Sequence, residues 1–126
     1  MQPLYSRTQR LLGDIVMENL KQARVIIFGV GGVGSWCAES LVRTGILHLT
    51  IVDADKVSDT NVNRQLMATT ETVGRVKVEA LKERLKLINP DAEINAVEAL
   101  YSAETAEQFR LEEYDFIIDA IDSLTA

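Results

Sequence analysis

Gly29-x-Gly31-Gly32-x-Gly34 limits what this chain can fold into more than any other stretch. Immediately before it, residues 25–28 (Val-Ile-Ile-Phe) form a short, β-branched apolar run that reads as a strand buried on both faces. Immediately after it comes a helical pattern that Gly45 closes. Strand, glycine turn and helix together make a phosphate-binding corner. The first glycine permits the tight turn, the next lets a pyrophosphate approach bare backbone, and the last lets helix and strand pack closely. The unpaired N–H groups of the helix start then point at an anion.

A chain of 126 residues suits a single domain, which commonly runs to roughly 100–200 residues. Its 47% hydrophobic and 25% charged residues are enough for a packed core. The net charge of −6 argues against broad electrostatic binding to a nucleic-acid backbone. One cysteine builds neither a disulfide framework nor a cysteine-based metal site. With no membrane-length apolar run and no signal-peptide pattern, the expectation is a cytoplasmic protein without a membrane partner.

Along the chain, Leu11, Leu12, Ile15, Val16 and Leu20 recur at spacings of three and four, a helical stripe that must pack on something. Residues 1–23 are therefore set apart as an amino-terminal helical arm, and 24–126 as the nucleotide-binding domain. Arg7 and Arg10 lie in the basic lead-in, which reads either as a solvated terminus or as an arm reaching a neighbouring site. Residues 48–52 form a second apolar run ending in Asp53-Ala54-Asp55. Asp53 lies 19 residues past Gly34, near the distance at which a carboxylate meets a nucleotide ribose, while Asp55 serves the same edge or only orients the loop. The polar connector 56–73 concentrates donors at Asn61, Asn63, Arg64 and Gln65, and Arg64 can grip a phosphate bidentately.

A helix follows over 75–88, with Val78, Leu81, Leu85 and Ile88 on one stripe. Lys77 falls in its first turn, where the helix dipole disfavours a cation, so it either faces a polyanion or is an ordinary surface lysine. A third strand is expected over 92–100 and a short helix from Ser102 to about residue 112. A fourth strand spans 114–119, followed by Asp122-Ser123. Trp36 reads as an anchor of the first helix, and Cys37 as a small residue packing that helix on the sheet rather than a reactive thiol.

Alternating strands and helices imply a Rossmann-like α/β fold: a parallel sheet with helices on both faces and strand order 3-2-1-4. That order gathers the glycines, Asp53, Arg64 and Asp122 at one edge within reach of Lys77. A dinucleotide has only a pyrophosphate, for which this set of charges is surplus. A nucleoside triphosphate carries more charge and arrives with Mg²⁺, which takes one or two carboxylates plus phosphate oxygens. The pattern therefore favours ATP over NAD, with Asp122 as the magnesium ligand ahead of Asp119. There is no GxxxxGK[ST] cradle, and the single histidine, His48, supports no Ser-His-Asp set. Arg, Lys and Mg²⁺ without a general base suit attack by a substrate's own carboxylate on phosphorus. At the α-phosphorus the products are an acyl-adenylate and pyrophosphate.

Seven segments, Gly-Val-Gly-Gly-Val-Gly-Ser-Trp (29–36), Arg-Thr-Gly-Ile (43–46), Val-Asp-Ala-Asp (52–55), Asn-Val-Asn-Arg-Gln (61–65), Val-Gly-Arg-Val-Lys (73–77), Ile-Asn-Pro (88–90) and Asp-Ala-Ile-Asp-Ser (119–123), occur in the order found in the ThiF/MoeB/HesA family. The chain resembles these ubiquitin-activating-enzyme-like adenylyltransferases over nearly its whole length. Ser-Trp after the glycines, Arg-Thr-Gly-Ile and Asp-Ser resemble the branch that acts on threonylcarbamoyladenosine in tRNA. The resemblance implies ATP-driven activation of the threonylcarbamoyl carboxylate, closure to the cyclic form, and a homodimer. It assigns the ribose to Asp53, the phosphates to Asn61, Arg64 and Lys77, and the metal to Asp122. It also implies an arginine reaching the partner subunit's ATP, best matched here by Arg7 and then Arg10. Ser123 stands where Asp-Asn is commoner and supplies no amide. The family's second half, with its further strands and zinc cysteines, is not in this sequence. The chain then corresponds to the truncated half of a larger ThiF-type domain, expected to bind ATP weakly and not to turn over tRNA alone.

Three alternatives stay open. One is adenylylation of the carboxyl-terminal glycine of a ubiquitin-like sulfur carrier, with a cysteine desulfurase system as partner. The others are an NAD-binding oxidoreductase domain and a non-catalytic interaction module.

Overall fold

A computed structural model describes residues 3–122. Strands β1 (Arg24–Phe28), β2 (His48–Val52), β3 (Glu93–Val97) and β4 (Phe116–Asp119) form one parallel sheet in the order β3-β2-β1-β4. This is the expected order, with the switch point between β1 and β4. Register sets Phe28 against both Val52 and Asp119, so the turns after β1, β2 and β4 open side by side. That shared edge is where open α/β sheets take ligands.

β1 and β2 are buried on both faces because their apolar runs do not alternate with polar residues, whereas β3 exposes Glu93 and Asn95 and β4 leaves Phe116 and Ile117 exposed. Val25, Ile27, Leu49, Ile51 and Ile94 face helices α3 (Gly32–Thr44) and α4 (Lys77–Ile88) in the main core. Ile26, Phe28 and Val52 face the other way, into a smaller core with Phe109. The helix expected over 102–112 is absent; two single-turn 3-10 helices, Ala106–Phe109 and Leu111–Glu113, stand there instead. Thr105 Oγ1 accepts the Ser102 N–H and donates to the Leu100 carbonyl, a local turn that competes with helix. Arg110, at φ 48°, then turns the chain out of the helical path. The second face is therefore covered by irregular chain that still delivers Phe109 edge-on to Phe28.

The amino-terminal stripe also departs from expectation. Gly13 breaks it into α1 (Ser6–Leu12) and α2 (Asp14–Gln22), and Leu11 and Ile15 stay 84% and 80% exposed. Within this chain the arm is held instead by Tyr5 and Met17, both buried. Tyr5 Oη donates to the Val42 carbonyl and accepts from Asn89 Nδ2.

Helices α3 and α4 are tied by Glu39, a buried carboxylate that accepts from Arg43 Nε at 3.1 Å and from Arg84 Nε. Burial alone would raise its pKa, but the hydrogen bonds and charges of Arg84 and Arg43 outweigh this and hold it below the ordinary glutamate value of 4.5. A depressed folded-state pKa gives stability that is present above 4.5 and lost as pH falls through the lower folded value. Glu39→Gln should therefore cost about 1–2 kcal/mol at neutral pH and flatten the acid limb of a urea-unfolding profile.

Candidate nucleotide site

At the shared edge, the turns after β1 and β4, the loop after β2 and the segment after β3 enclose a cleft of about 370 Å³. Gly29 leaves β1 at φ 89°, and a Cβ there would lie 2.7 Å from the Ala120 carbonyl oxygen, so only glycine fits between β1 and β4. Gly31 lines the cleft as the residue before α3, whose first N–H groups have no side-chain cap. Gly32 and Gly34 do not line it. Gly32 lies beneath the Arg64 side chain, and Gly34 lets α3 pass over the Gly29 carbonyl.

Asp53 directly follows β2 and locks this corner. Its Oδ2 accepts from the Val30 N–H at 2.9 Å and its Oδ1 from the Asp55 N–H at 2.8 Å. One carboxylate thus ties the glycine turn to the next loop, and each oxygen keeps a lone pair for a ribose hydroxyl. The connector 56–73 is folded rather than loose. Val57, Met67 and Ala68 sink into the main core, and Ser58 and Asn61 cap the short helix Asp59–Asn61 reciprocally.

This folding divides the expected donors. Asn61, Arg64 and Gln65 line the cleft; Asn63 does not, and its Oδ1 instead accepts from Arg64 Nη1 at 2.9 Å. Arg64 Nη1 also donates to the Thr60 carbonyl at 3.1 Å, leaving Nε and Nη2 available. Gln65 is buried in the cleft wall, and its Oε1 lacks a hydrogen-bond partner. A buried orphan acceptor is costly in an empty protein and is satisfied by a ligand donor or by water.

Lys77 also lines the cleft and is not a surface lysine. Its side chain is 8% exposed, and its Nζ lies 3.9 Å from Oδ2 of the exposed Asp55. Asp122 lines the cleft from the β4 side. Asp119 does not, and its Oδ1 accepts from the Ile121 N–H. Ser123 lies outside the described residues. Arg7, on α1, is exposed and is not part of this chain's cleft.

The sequence reading missed the apolar half of the cleft, formed by Phe28, Val52, Ala99, Leu100, Tyr101 and Ile121. Tyr101 packs on Phe28 with the rings tilted by 44° and their centroids 4.4 Å apart, so the wall is continuous with the small core. An aromatic directly after the expected third strand was the available signal. Two other side chains resolve as follows. Trp36 is 56% exposed and is no buried anchor; its Nε1 donates to the Arg64 carbonyl at 3.0 Å. Cys37 packs against the main core as expected, and burial pushes its thiol pKa up.

A glycine corner at the switch point of a parallel sheet, with a carboxylate directly after the next strand, defines the nucleotide-binding α/β class. Within that class the chain belongs to the ThiF family, whose model matches residues 5–126. It is 45% identical to a tRNA threonylcarbamoyladenosine dehydratase of Bacillus subtilis over 95% of this chain and 47% of the relative. It is 39% identical to the molybdopterin-synthase adenylyltransferase of Escherichia coli over 85% of this chain and 43% of the relative. Among solved structures, Escherichia coli TcdA, a tRNA N6-threonylcarbamoyladenosine dehydratase in complex with ATP, superposes with a TM-score of 0.92 at 39% identity, covering 95% of this chain and 49% of that one. The chain thus spans about half the length of these three relatives. Among the described residues, no helix is long and apolar enough to cross a membrane.

Proposed function

We propose that this chain is the ATP-binding part of an enzyme that activates a carboxylate by adenylylation. The favoured acceptor is the threonylcarbamoyl group of a tRNA adenosine, with the cyclic form as the outcome. The observation that carries this reading is the convergence of Gly31, Asn61, Arg64, Gln65, Lys77 and Asp122 on one cleft that also has an apolar wall. In this reading Asp53 takes the ribose, the wall around Tyr101 takes adenine, and Arg64 and Lys77 hold the phosphates. Both cations would stabilise the negative charge on the phosphate oxygens as the substrate carboxylate attacks the α-phosphorus and pyrophosphate leaves.

The side chains of the cleft fit a metal-bound triphosphate. Arg64 and Lys77 share the cleft with three carboxylates, Asp53, Asp55 and Asp122, whose repulsion of a polyanion an accompanying cation would offset. Asp53 is occupied by backbone N–H groups and Asp55 stands by Lys77, which leaves Asp122 to hold Mg²⁺. One carboxylate suffices for Mg²⁺, which takes one or two and completes its shell with water and phosphate. The ion would supply charge neutralisation there, and the Gln65 Oε1 orphan suits a donor such as a metal-bound water.

The proposal extends to a cytoplasmic homodimer, as a tRNA substrate requires the former and the uncovered Leu11 and Ile15 suit the latter. Residues 1–23 would serve as the arm that carries Arg7 to the partner's ATP, and 24–126 as the ATP domain. Similarity to a molybdopterin-synthase adenylyltransferase favours one second acceptor, the terminal glycine of a ubiquitin-like carrier working with a cysteine desulfurase. Calorimetry should show Mg-ATP binding and no NAD binding, and Arg64→Ala should weaken ATP by about tenfold or more. Binding of NAD alone would replace this reading with an oxidoreductase domain. Pyrophosphate release with modified tRNA or with a carrier protein then identifies the acceptor.

A further inference from the structure

The two residues after the last glycine grip the polar loop from opposite sides of Gln65. The Leu66 N–H donates to Ser35 Oγ at 3.2 Å, and Trp36 Nε1 donates to the Arg64 carbonyl at 3.0 Å. Ser35 is fully buried, so its hydroxyl is a fixed point rather than a solvated one. The side chains between these bonds rest on the glycine turn. A Cβ on Gly31 would lie 3.5 Å from Gln65 Nε2, and one on Gly32 would lie 3.6 Å from Arg64 Cδ. Trp36 spends little of its ring on burial, since 56% of the residue is exposed, and its distinctive contribution is the indole N–H.

We infer that Ser35 and Trp36 are positioning residues that clamp the Arg64–Leu66 segment beside the glycine turn and so set where Arg64 meets a phosphate. The inference rests on the ATP reading of the cleft. Thr60 and Asn63 fix the guanidinium from within the loop, whereas Ser35 and Trp36 fix the loop to the helix that carries the glycines. Without the indole donor the capped turn at Ser58 and Asn61 still folds, but the segment beyond it loses one of its two ties to α3. An arginine that wanders by an ångström costs affinity for the phosphates it should meet and leaves the adenine wall untouched.

Trp36→Phe keeps ring bulk and removes the donor; Ser35→Ala removes the other tie. Amide hydrogen exchange on the chain without nucleotide should show Arg64, Gln65 and Leu66 exchanging faster in both variants, by about tenfold for Leu66 in Ser35→Ala. Calorimetry should show ATP affinity falling about three- to tenfold in Trp36→Phe, with adenosine affinity unchanged. A merely structural role would weaken both ligands together. Amides that exchange at the wild-type rate overturn the inference, as does an equal loss of ATP and adenosine. Failure of the unsubstituted chain to bind ATP, with the exchange difference intact, removes the ATP reading and leaves the clamp standing.

Discussion

Lys77→Met should abolish most of the affinity for Mg-ATP while leaving the melting temperature unchanged or raised. The two effects have opposite causes. An ammonium 8% exposed, with the exposed Asp55 carboxylate 3.9 Å away, has lost most of its water for one long-range partner. Such a charge costs folding free energy, and an apolar side chain of similar length removes that cost. The lysine's backbone N–H still donates to the Asp55 carbonyl in the variant, so the start of α4 is kept. Binding moves the other way, because a phosphate oxygen would complete what Asp55 leaves unfinished. Losing a charge-assisted contact of this kind costs about 2–3 kcal/mol, or roughly 30- to 160-fold in affinity. Calorimetry alongside thermal unfolding checks both signs. A variant that melts lower and binds ATP normally would make Lys77 a structural residue.

Gly34→Ala should unfold the corner, and with it most of the chain. A Cβ at this position would sit 1.8 Å from the Gly29 carbonyl oxygen and 2.8 Å from its carbonyl carbon. Both are backbone atoms, so no rotamer change relieves the clash. The Gly29 N–H is bonded to the Val52 carbonyl at 2.8 Å, which prevents the turn from sliding away. Relief requires α3 to lift from β1, opening the main core at Ala38 and Val42. We expect a loss of more than about 3 kcal/mol, a large part of the roughly 5–15 kcal/mol that holds a domain together. Urea unfolding measures it directly. Gly32→Ala is the control, because its Cβ would meet only the flexible Arg64 side chain at 3.6 Å and should be tolerated.

Strand positions and sheet order were legible because an uninterrupted apolar run with a glycine corner admits few alternatives. Asn61, Arg64, Gln65 and Lys77 were legible because concentrated polarity after a strand end falls at the ligand edge of such a sheet. What escaped depends on direction rather than position. Phe28 reads as a buried strand residue and Tyr101 has no reading; an aromatic after a strand end hints at the ligand edge but does not say that the two rings would wall a cleft. Asn63 has the same chemistry as Asn61 two places earlier, yet the cap at Ser58 turns one inward and leaves the other to brace Arg64. Trp36 reads as an anchor because tryptophan is usually buried, and only the structure shows its nitrogen against the loop. At 102–112 a hydroxyl turn at Thr105 and the left-handed Arg110 defeated a plausible helix.

The two sides of the sheet bear unequal duties. The large core beneath α3 and α4 carries the packing, whereas the small one, with Phe28, Val52 and Tyr101, doubles as the wall of the cleft. Evolution can therefore retune the ligand wall through irregular, replaceable chain while the helical side stays untouched. A scaffold divided in this way is free to diversify its chemistry without renegotiating its stability.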